Sequence, residues 1–210
     1  MIGIYGGTFN PIHYGHLRTA LEIKEKLAVD EIKLIPCYQP ALKNQPSVTA
    51  SMRLNMLQLA IEGHQGFSCD CREIERRGAS YMVDTLASLR TELPKQSLVL
   101  LIGNDAFIHL EKWHRWQLLF DYAHVVVMTR PNSQQKRLNP FLKVRLADNA
   151  EQLKQTLAGH LYFQKVTQLA ISSTEIRTLL SMKKSPHFLM PDSVINYIQQ
   201  NKLYRNLNAN

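Results

Sequence analysis

Eleven consecutive residues, Gly6-Gly7-Thr8-Phe9-Asn10-Pro11-Ile12-His13-Tyr14-Gly15-His16, gather the groups best suited to chemistry in this sequence. Paired glycines after an apolar run let a backbone approach a phosphate closely. His13 and His16 follow three residues apart, and Gly15 removes bulk between them. Two imidazoles at a helix N-terminus suit the charge that develops on a transferring phosphoryl group. Histidine pairs also bind zinc, but zinc takes three or four ligands and no further cluster stands out. Singly, paired glycines are a weak motif and a histidine is usually a surface or core residue. Their joint placement between a strand and a helix favours chemistry.

A second group lies about 155 residues further on, at Ile171-Ser172-Ser173-Thr174-Glu175-Ile176-Arg177. Ser172, Ser173 and Thr174 read first as a helix N-cap. Free N–H groups, hydroxyls and Arg177 one turn along also make an anion site.

Elements that must position these groups can be read from periodicity. Met1 to Tyr5 is an apolar run into a glycine turn, and His16 to Leu27 carries apolar residues at helical spacing. Glu31 to Ile35 reads as a strand, Ser51 to Ile61 as a helix, Phe67 to Ile74 as an alternating strand, and Met82 to Leu93 as a helix. Leu98 to Ile102 and His124 to Met128 are continuous apolar strands, as in parallel sheets covered on both faces. A strand at Leu161 to Val166 and helices near Thr174 to Met182 and Ser193 to Gln200 complete the pattern. Strands alternating with helices predict an α/β, Rossmann-like, doubly wound parallel sheet with helices on both faces and a small C-terminal helical part. Ligands in such sheets lie at the carboxyl ends of strands, near the switch in strand order. One domain over residues 1–205 is expected, with a polar loop at Asn132 to Lys136 and a frayed tail at 206–210.

The 210 residues carry 25 basic and 17 acidic side chains, a net charge of +8 that favours polyanionic partners. Basic residues are scattered without an aromatic-interleaved stripe, which weighs against nucleic acid. The longest aliphatic run, Leu98 to Ile102, is far too short for a membrane span, and no signal peptide is visible. Three cysteines without a CxxC pair point to a reducing, cytoplasmic compartment. Cys69 and Cys71 would share one face of a strand as small core residues. His64, His109, His124, His160 and His187 have no assigned chemistry.

The two motifs together resemble those of the HxGH nucleotidyltransferases, and the whole chain is similar to the bacterial nicotinate-nucleotide adenylyltransferases. Arg53 with Met56-Leu57, Ser80-Tyr81, Thr85-Leu86, Gly103-Asn104-Asp105, Trp113, Arg130-Pro131 and Leu203-Tyr204 extend the likeness. The resemblance implies adenylyl transfer from ATP to nicotinate mononucleotide, with Mg2+ accompanying ATP and no side-chain metal site assigned. It implies His13 and His16 as catalytic residues, and Gly6, Gly7, Thr8, Phe9, Gly103, Asp105, Ser172, Ser173 and Arg177 as ATP-binding residues. Lys43, Met82, Thr85, Trp113 and His114 would meet the acceptor, Trp113 by stacking on the pyridine ring. Asp105 reads locally as the N-cap of a helix from Ala106 to Leu110, and Trp116 as a packing residue.

Three departures stand out. Asn10 replaces the Asp often found before Pro11, Pro40-Ala41-Leu42-Lys43 keeps a cation but no histidine, and Met82 stands where relatives often place Thr. Rival readings are transfer to nicotinamide mononucleotide or another phosphorylated acceptor, a non-catalytic nucleotide sensor, and a nucleic-acid module suggested by charge alone. Neither nucleic acid nor membrane is an expected partner; a homo-oligomer stays open beside the two small-molecule substrates.

Overall fold

The first strand, β1 (Ile2–Gly7), is buried by its apolar residues and runs straight into the loop that precedes α1 (Tyr14–Lys26). These details come from a computed structural model that describes residues 1–41, 46, 48–129, 137–167 and 169–205. Lys43, the segment 130–136 and the tail 206–210 lie outside the described residues.

The chain continues through β2 (Glu31–Pro36), β3 (Gln39–Pro40), α2 (Ala50–Ile61), β4 (Phe67–Cys69), α3 (Arg72–Arg76), β5 (Ala79–Ser80) and α4 (Met82–Glu92). Then follow β6 (Leu98–Gly103), α5 (Asn104–Ile108), α6 (Leu119–Tyr122), β7 (His124–Thr129), α7 (Pro140–Lys143), α8 (Gln152–Gln155) and β8 (Leu161–Lys165). Helices α9 (Ser173–Ser181) and α10 (Asp192–Gln200) close the order. Six strands form a parallel sheet in the order β4-β2-β1-β6-β7-β8, which is the doubly wound arrangement expected. Strand order reverses between β1 and β6, so the crevice for a ligand opens beyond Gly7 and Gly103.

Each central strand feeds both faces because side chains alternate along it. Val99 and Leu101 of β6 join Val126, Met56 and Ile195 in one core, while Leu98, Leu100 and Ile102 join Val125, Leu86 and Phe107 in the other. A sheet covered on both sides explains why β6 and β7 are continuous apolar runs.

Two expectations fail locally. The strand expected through Ile74 stops at Cys69, because the Asp70 carboxylate accepts from the Arg72 N–H at 3.1 Å and from its Nε at 2.8 Å. That local turn starts α3, so Cys71 leaves the strand and its thiol donates to Glu75 at 2.9 Å. The helix expected from Ala106 begins earlier, with Gly103 as N-cap and Asp105 in the first turn. Among the described residues no helix is long and apolar enough to cross a membrane.

His124, wholly buried at the start of β7, accepts from the His160 N–H on Nδ1 at 3.1 Å, which leaves Nε2 to donate to the Thr156 carbonyl, also at 3.1 Å. Burial lowers its pKa from 6.5 to about 4. The native state therefore binds fewer protons than the unfolded chain, and stability is lost as pH falls from 6.5 toward about 4. Gln in place of His124 can offer one acceptor and one donor without titrating. His124→Gln should flatten the pH dependence of urea unfolding in that window by up to about 1.4 kcal/mol per pH unit. An unchanged slope would show that this ring is not the group responsible.

Candidate active site

The loop from Gly7 to Pro11 turns four of its carbonyl oxygens toward protein donors, which come from three separate segments. Gly7 O accepts from the Cys37 N–H at 3.0 Å, and Thr8 O from Arg53 Nη1 at 2.7 Å. Asn10 O accepts from Arg177 Nη1 at 2.9 Å, and Pro11 O from the Ser173 hydroxyl at 2.8 Å. A peptide's C=O and the next N–H point in opposite directions. Thr8 and Phe9 therefore aim their N–H groups away from these donors. Phe9 sits at φ 45°, a left-handed conformation that costs a bulky residue about 1–3 kcal/mol and persists only when its surroundings enforce it.

Side chains fill the other side of that turn. The Phe9 ring lies over Gly7 so closely that a Cβ there would come within 3.0 Å of it. Gly6 likewise accommodates the Met82 methyl from the start of α4. Both glycines serve close approach, here of the Phe9 and Met82 side chains.

His13 is the N-cap residue of α1 and His16 lies in its first turn. Their rings stack with centroids 3.8 Å apart and planes 29° apart. Phe9 and Tyr5 stand edge-on to His16 at 5.2 and 6.2 Å, completing an aromatic wall. Gly15 makes the stack fit: a Cβ would lie 2.9 Å from the His13 ring and 3.3 Å from Ile171 O. Both Nδ1 atoms are buried without a hydrogen-bond partner, a costly state for a polar atom unless a ligand supplies one.

Burial lowers the His13 pKa from 6.5 to about 4, opposed by the Glu175 carboxylate. It takes His16 well below 6.5, with the His13 charge acting in the same direction. Both rings are neutral near pH 7 and can donate an N–H or accept a proton when an anion arrives.

Ser172 caps α9 through a capping box with Glu175, as its position suggested. Ser173 and Arg177 are tied to the first loop, so the N-termini of α9 and α1 meet at the crevice. Arg177 Nη2 also reaches Thr174 Oγ1 at 3.3 Å. Two helix N-termini and a guanidinium converge there with the Gly-Gly-Thr-Phe backbone.

On the β6 side, Gly103 caps α5, and Asp105 is exposed in its first turn. Helix α4 begins at Met82 with no side-chain cap, leaving its first N–H groups for other partners. Tyr81 lies against the exposed His114 ring at 4.5 Å with the planes tilted by 38°, and the half-buried Trp113 packs against the second core. Trp116 packs edge-on to Phe141 at 5.0 Å, the structural role expected of it.

Thr85 corrects the acceptor set. It is fully buried, and its hydroxyl donates to the buried Glu73 at 2.6 Å, so it supports α3 against α4 and offers no face to a ligand. Lys43 lies outside the described residues. Two residues not assigned to the site meet its loop: Arg53, and Tyr204, whose hydroxyl donates to Asn10 Oδ1 at 2.6 Å. Among the described residues, no group of three or more His, Cys, Asp or Glu side chains could hold a metal ion. A separate cleft of about 520 Å³ includes Cys69, Arg72 and Glu92 in its walls. There Arg72 is occupied by Asp70, Glu92 and Ser88.

A doubly wound sheet with a glycine loop, a stacked histidine pair and an arginine at its switch point defines a class of nucleotidyl-transferring enzymes. The sequence profile of the cytidylyltransferase-like family matches residues 4–179, and the chain belongs to that family. Two relatives narrow this. A protein of Methylococcus capsulatus described as "Probable nicotinate-nucleotide adenylyltransferase" is 45% identical over 208 residues, covering 97% of this chain and 99% of the relative. One of the same description from Cellvibrio japonicus is also 45% identical, covering 97% and 98%. Within the wider family the chain is therefore a member of the nicotinate-nucleotide adenylyltransferases, a nucleotidyltransferase. The fold is shared with Plasmodium falciparum nicotinic acid mononucleotide adenylyltransferase, solved in complex with NaAD. That likeness has a TM-score of 0.73 at 20% identity and covers 99% of this chain and 98% of the other.

Because Gly15 is what lets His13 lie flat on His16, Gly15→Ala should displace the ring while leaving the sheet intact. Turnover is expected to fall about 10²-fold, the scale of an ångström-sized misplacement. Circular dichroism should be unchanged, and wild-type turnover in the folded variant would contradict this role for the glycine.

Proposed function

We propose that the protein transfers the adenylyl group of ATP to the phosphate of nicotinate mononucleotide, giving nicotinate adenine dinucleotide and pyrophosphate. A phosphate oxygen of the mononucleotide attacks the α-phosphorus of ATP. The bond from that phosphorus to the bridging oxygen breaks, and pyrophosphate leaves with the electron pair. The nucleophile is already anionic at neutral pH, so the task is to align two anions and offset their repulsion. The observation that carries the reading is the stacked histidine pair, with two buried and unpartnered Nδ1 atoms, next to the loop whose Asn10 carbonyl Arg177 holds.

In this reading the Thr8 and Phe9 N–H groups and the His13 and His16 rings face the phosphates. Ser172, Ser173 and Arg177 attract the β- and γ-phosphates, supported by the α9 N-terminus. Neutral imidazoles fit the role because an N–H aimed at an oxygen gaining charge needs no reorganisation. Mg2+ bound to ATP would neutralise part of the triphosphate charge. Asp105, exposed at the carboxyl end of β6, is the carboxylate of this chain offered to the metal or the ribose. Gly103 leaves open space beside it, since an added Cβ would meet nothing within 4 Å. A cytoplasmic setting accords with the free thiols of Cys37, Cys69 and Cys71.

The acceptor's pyridine ring would lie by Trp113, Met82 and His114. The uncapped N-terminus of α4 supports a carboxylate over an amide there, because N–H groups and the helix dipole favour negative charge. A backbone donor survives whatever side chain stands at Met82, so the acid preference should persist. Side-by-side kinetics should give nicotinate mononucleotide the higher kcat/KM. Equal values, or a preference for nicotinamide mononucleotide, would refute acid specificity and leave adenylyl transfer standing.

His16→Ala tests the chemical step. Removing one donor to a developing charge should lower kcat by roughly 10²–10³ with folding intact. A folded variant turning over at the wild-type rate would remove His16 from the mechanism.

A further inference from the structure

Arg53 is the largest fully buried side chain, and the reaction described above does not use it. It projects from α2 under the crevice and spans two loops. Nη1 donates to Thr8 O at 2.7 Å, while Nη2 donates to Cys37 O at 2.6 Å and Tyr38 O at 3.1 Å. Every oxygen it meets among the described residues is a neutral carbonyl, and its Nε has no partner. The nearby buried carboxylate, Glu73, takes its hydrogen bond from Thr85. A guanidinium keeps its charge in a protein, and a buried charge with no carboxylate bonded to it is unfavourable where an apolar residue would pack. The arrangement makes sense if the counter-charge is an anion on the other side of the loop.

The geometry points to Arg53 as a positioning residue for the triphosphate of ATP, acting through the Thr8–Phe9 peptide. That peptide presents Thr8 O to Arg53 and, on its opposite edge, the Phe9 N–H to the crevice. Holding the oxygen fixes the direction of the N–H, and the adjacent charge polarises it. The same side chain ties the loop after β1 to the loop after β2, so the phosphate cradle and the Cys37–Tyr38 turn move as one unit. A lysine would keep the charge but reach fewer of the three carbonyls, because only arginine presents a planar fork.

This inference rests on reading the crevice as the triphosphate site, and the test separates the two. Wild-type protein is first titrated with inorganic tripolyphosphate. Failure to bind would overturn the site reading itself. Arg53→Lys and Arg53→Met are then compared for tripolyphosphate affinity, kcat/KM for ATP, acceptor affinity and thermal midpoint. Arg53→Lys should lower kcat/KM for ATP about tenfold with near-normal tripolyphosphate binding, and Arg53→Met should lower it about 10²-fold and weaken tripolyphosphate binding as well. Acceptor affinity should stay within about threefold in both, a split that a loss of stability alone does not produce. Should the methionine variant fail to fold, the lysine variant decides. Wild-type kcat/KM for ATP in a folded variant, or equal losses of ATP and acceptor affinity, would assign Arg53 to structure alone.

Discussion

Everything at the crevice depends on where the carbonyls between Gly7 and Pro11 point. Four of them face protein donors, from Cys37, Arg53, Arg177 and Ser173. Buried carbonyls without donors would cost about 1–3 kcal/mol each, so these contacts hold the turn as well as decorate it. Where Gly7 and Thr8 turn their oxygens inward, the same peptides turn the Thr8 and Phe9 N–H groups the other way, which is the polarity an anion requires. The donors come from residues 37, 53, 173 and 177, so the site is assembled only when β2, α2 and α9 have packed around β1.

The histidine pair obeys the same logic from the other side. The two rings stack on each other at 3.8 Å with Phe9 and Tyr5 edge-on to His16, and their burial keeps them neutral. Neutral rings avoid repelling each other. The Tyr204 hydroxyl, on Asn10 Oδ1, ties the C-terminal segment to this loop, and burial raises the pKa of that phenol. An Asn at position 10 accepts this bond without bringing a carboxylate into a region meant for phosphates.

Much of this is legible in the sequence because the signals are local. Apolar runs marked the central strands, the Gly-Gly and His-x-Gly-His spacing marked the loop and helix, and Ser172 with Glu175 marked the cap of α9. What escaped was set by tertiary contacts or by short competing turns. Phe67 to Ile74 alternates like a strand, yet one Asp70 carboxylate ends it. Thr85 lies four residues before Leu89, on the buried stripe of α4, and that spacing could have placed it in the core. Arg53 similarly precedes Leu57 by four and Met56 by three, so a cation on the apolar stripe of α2 was the available sign of a buried one. Nothing near Tyr204 in the chain indicates a partner 194 residues away.

The central claim is that the stacked rings of His13 and His16 meet the triphosphate. Proton NMR of the two imidazoles, titrated between pH 4 and 8 with and without a non-hydrolysable ATP analogue, tests it directly. Free protein should keep His13 neutral down toward about 4 and His16 neutral well below 6.5, and the bound anion should raise both titrations markedly, because a nearby negative charge favours the protonated form. Titrations of both rings that ignore a saturating analogue would contradict the claim.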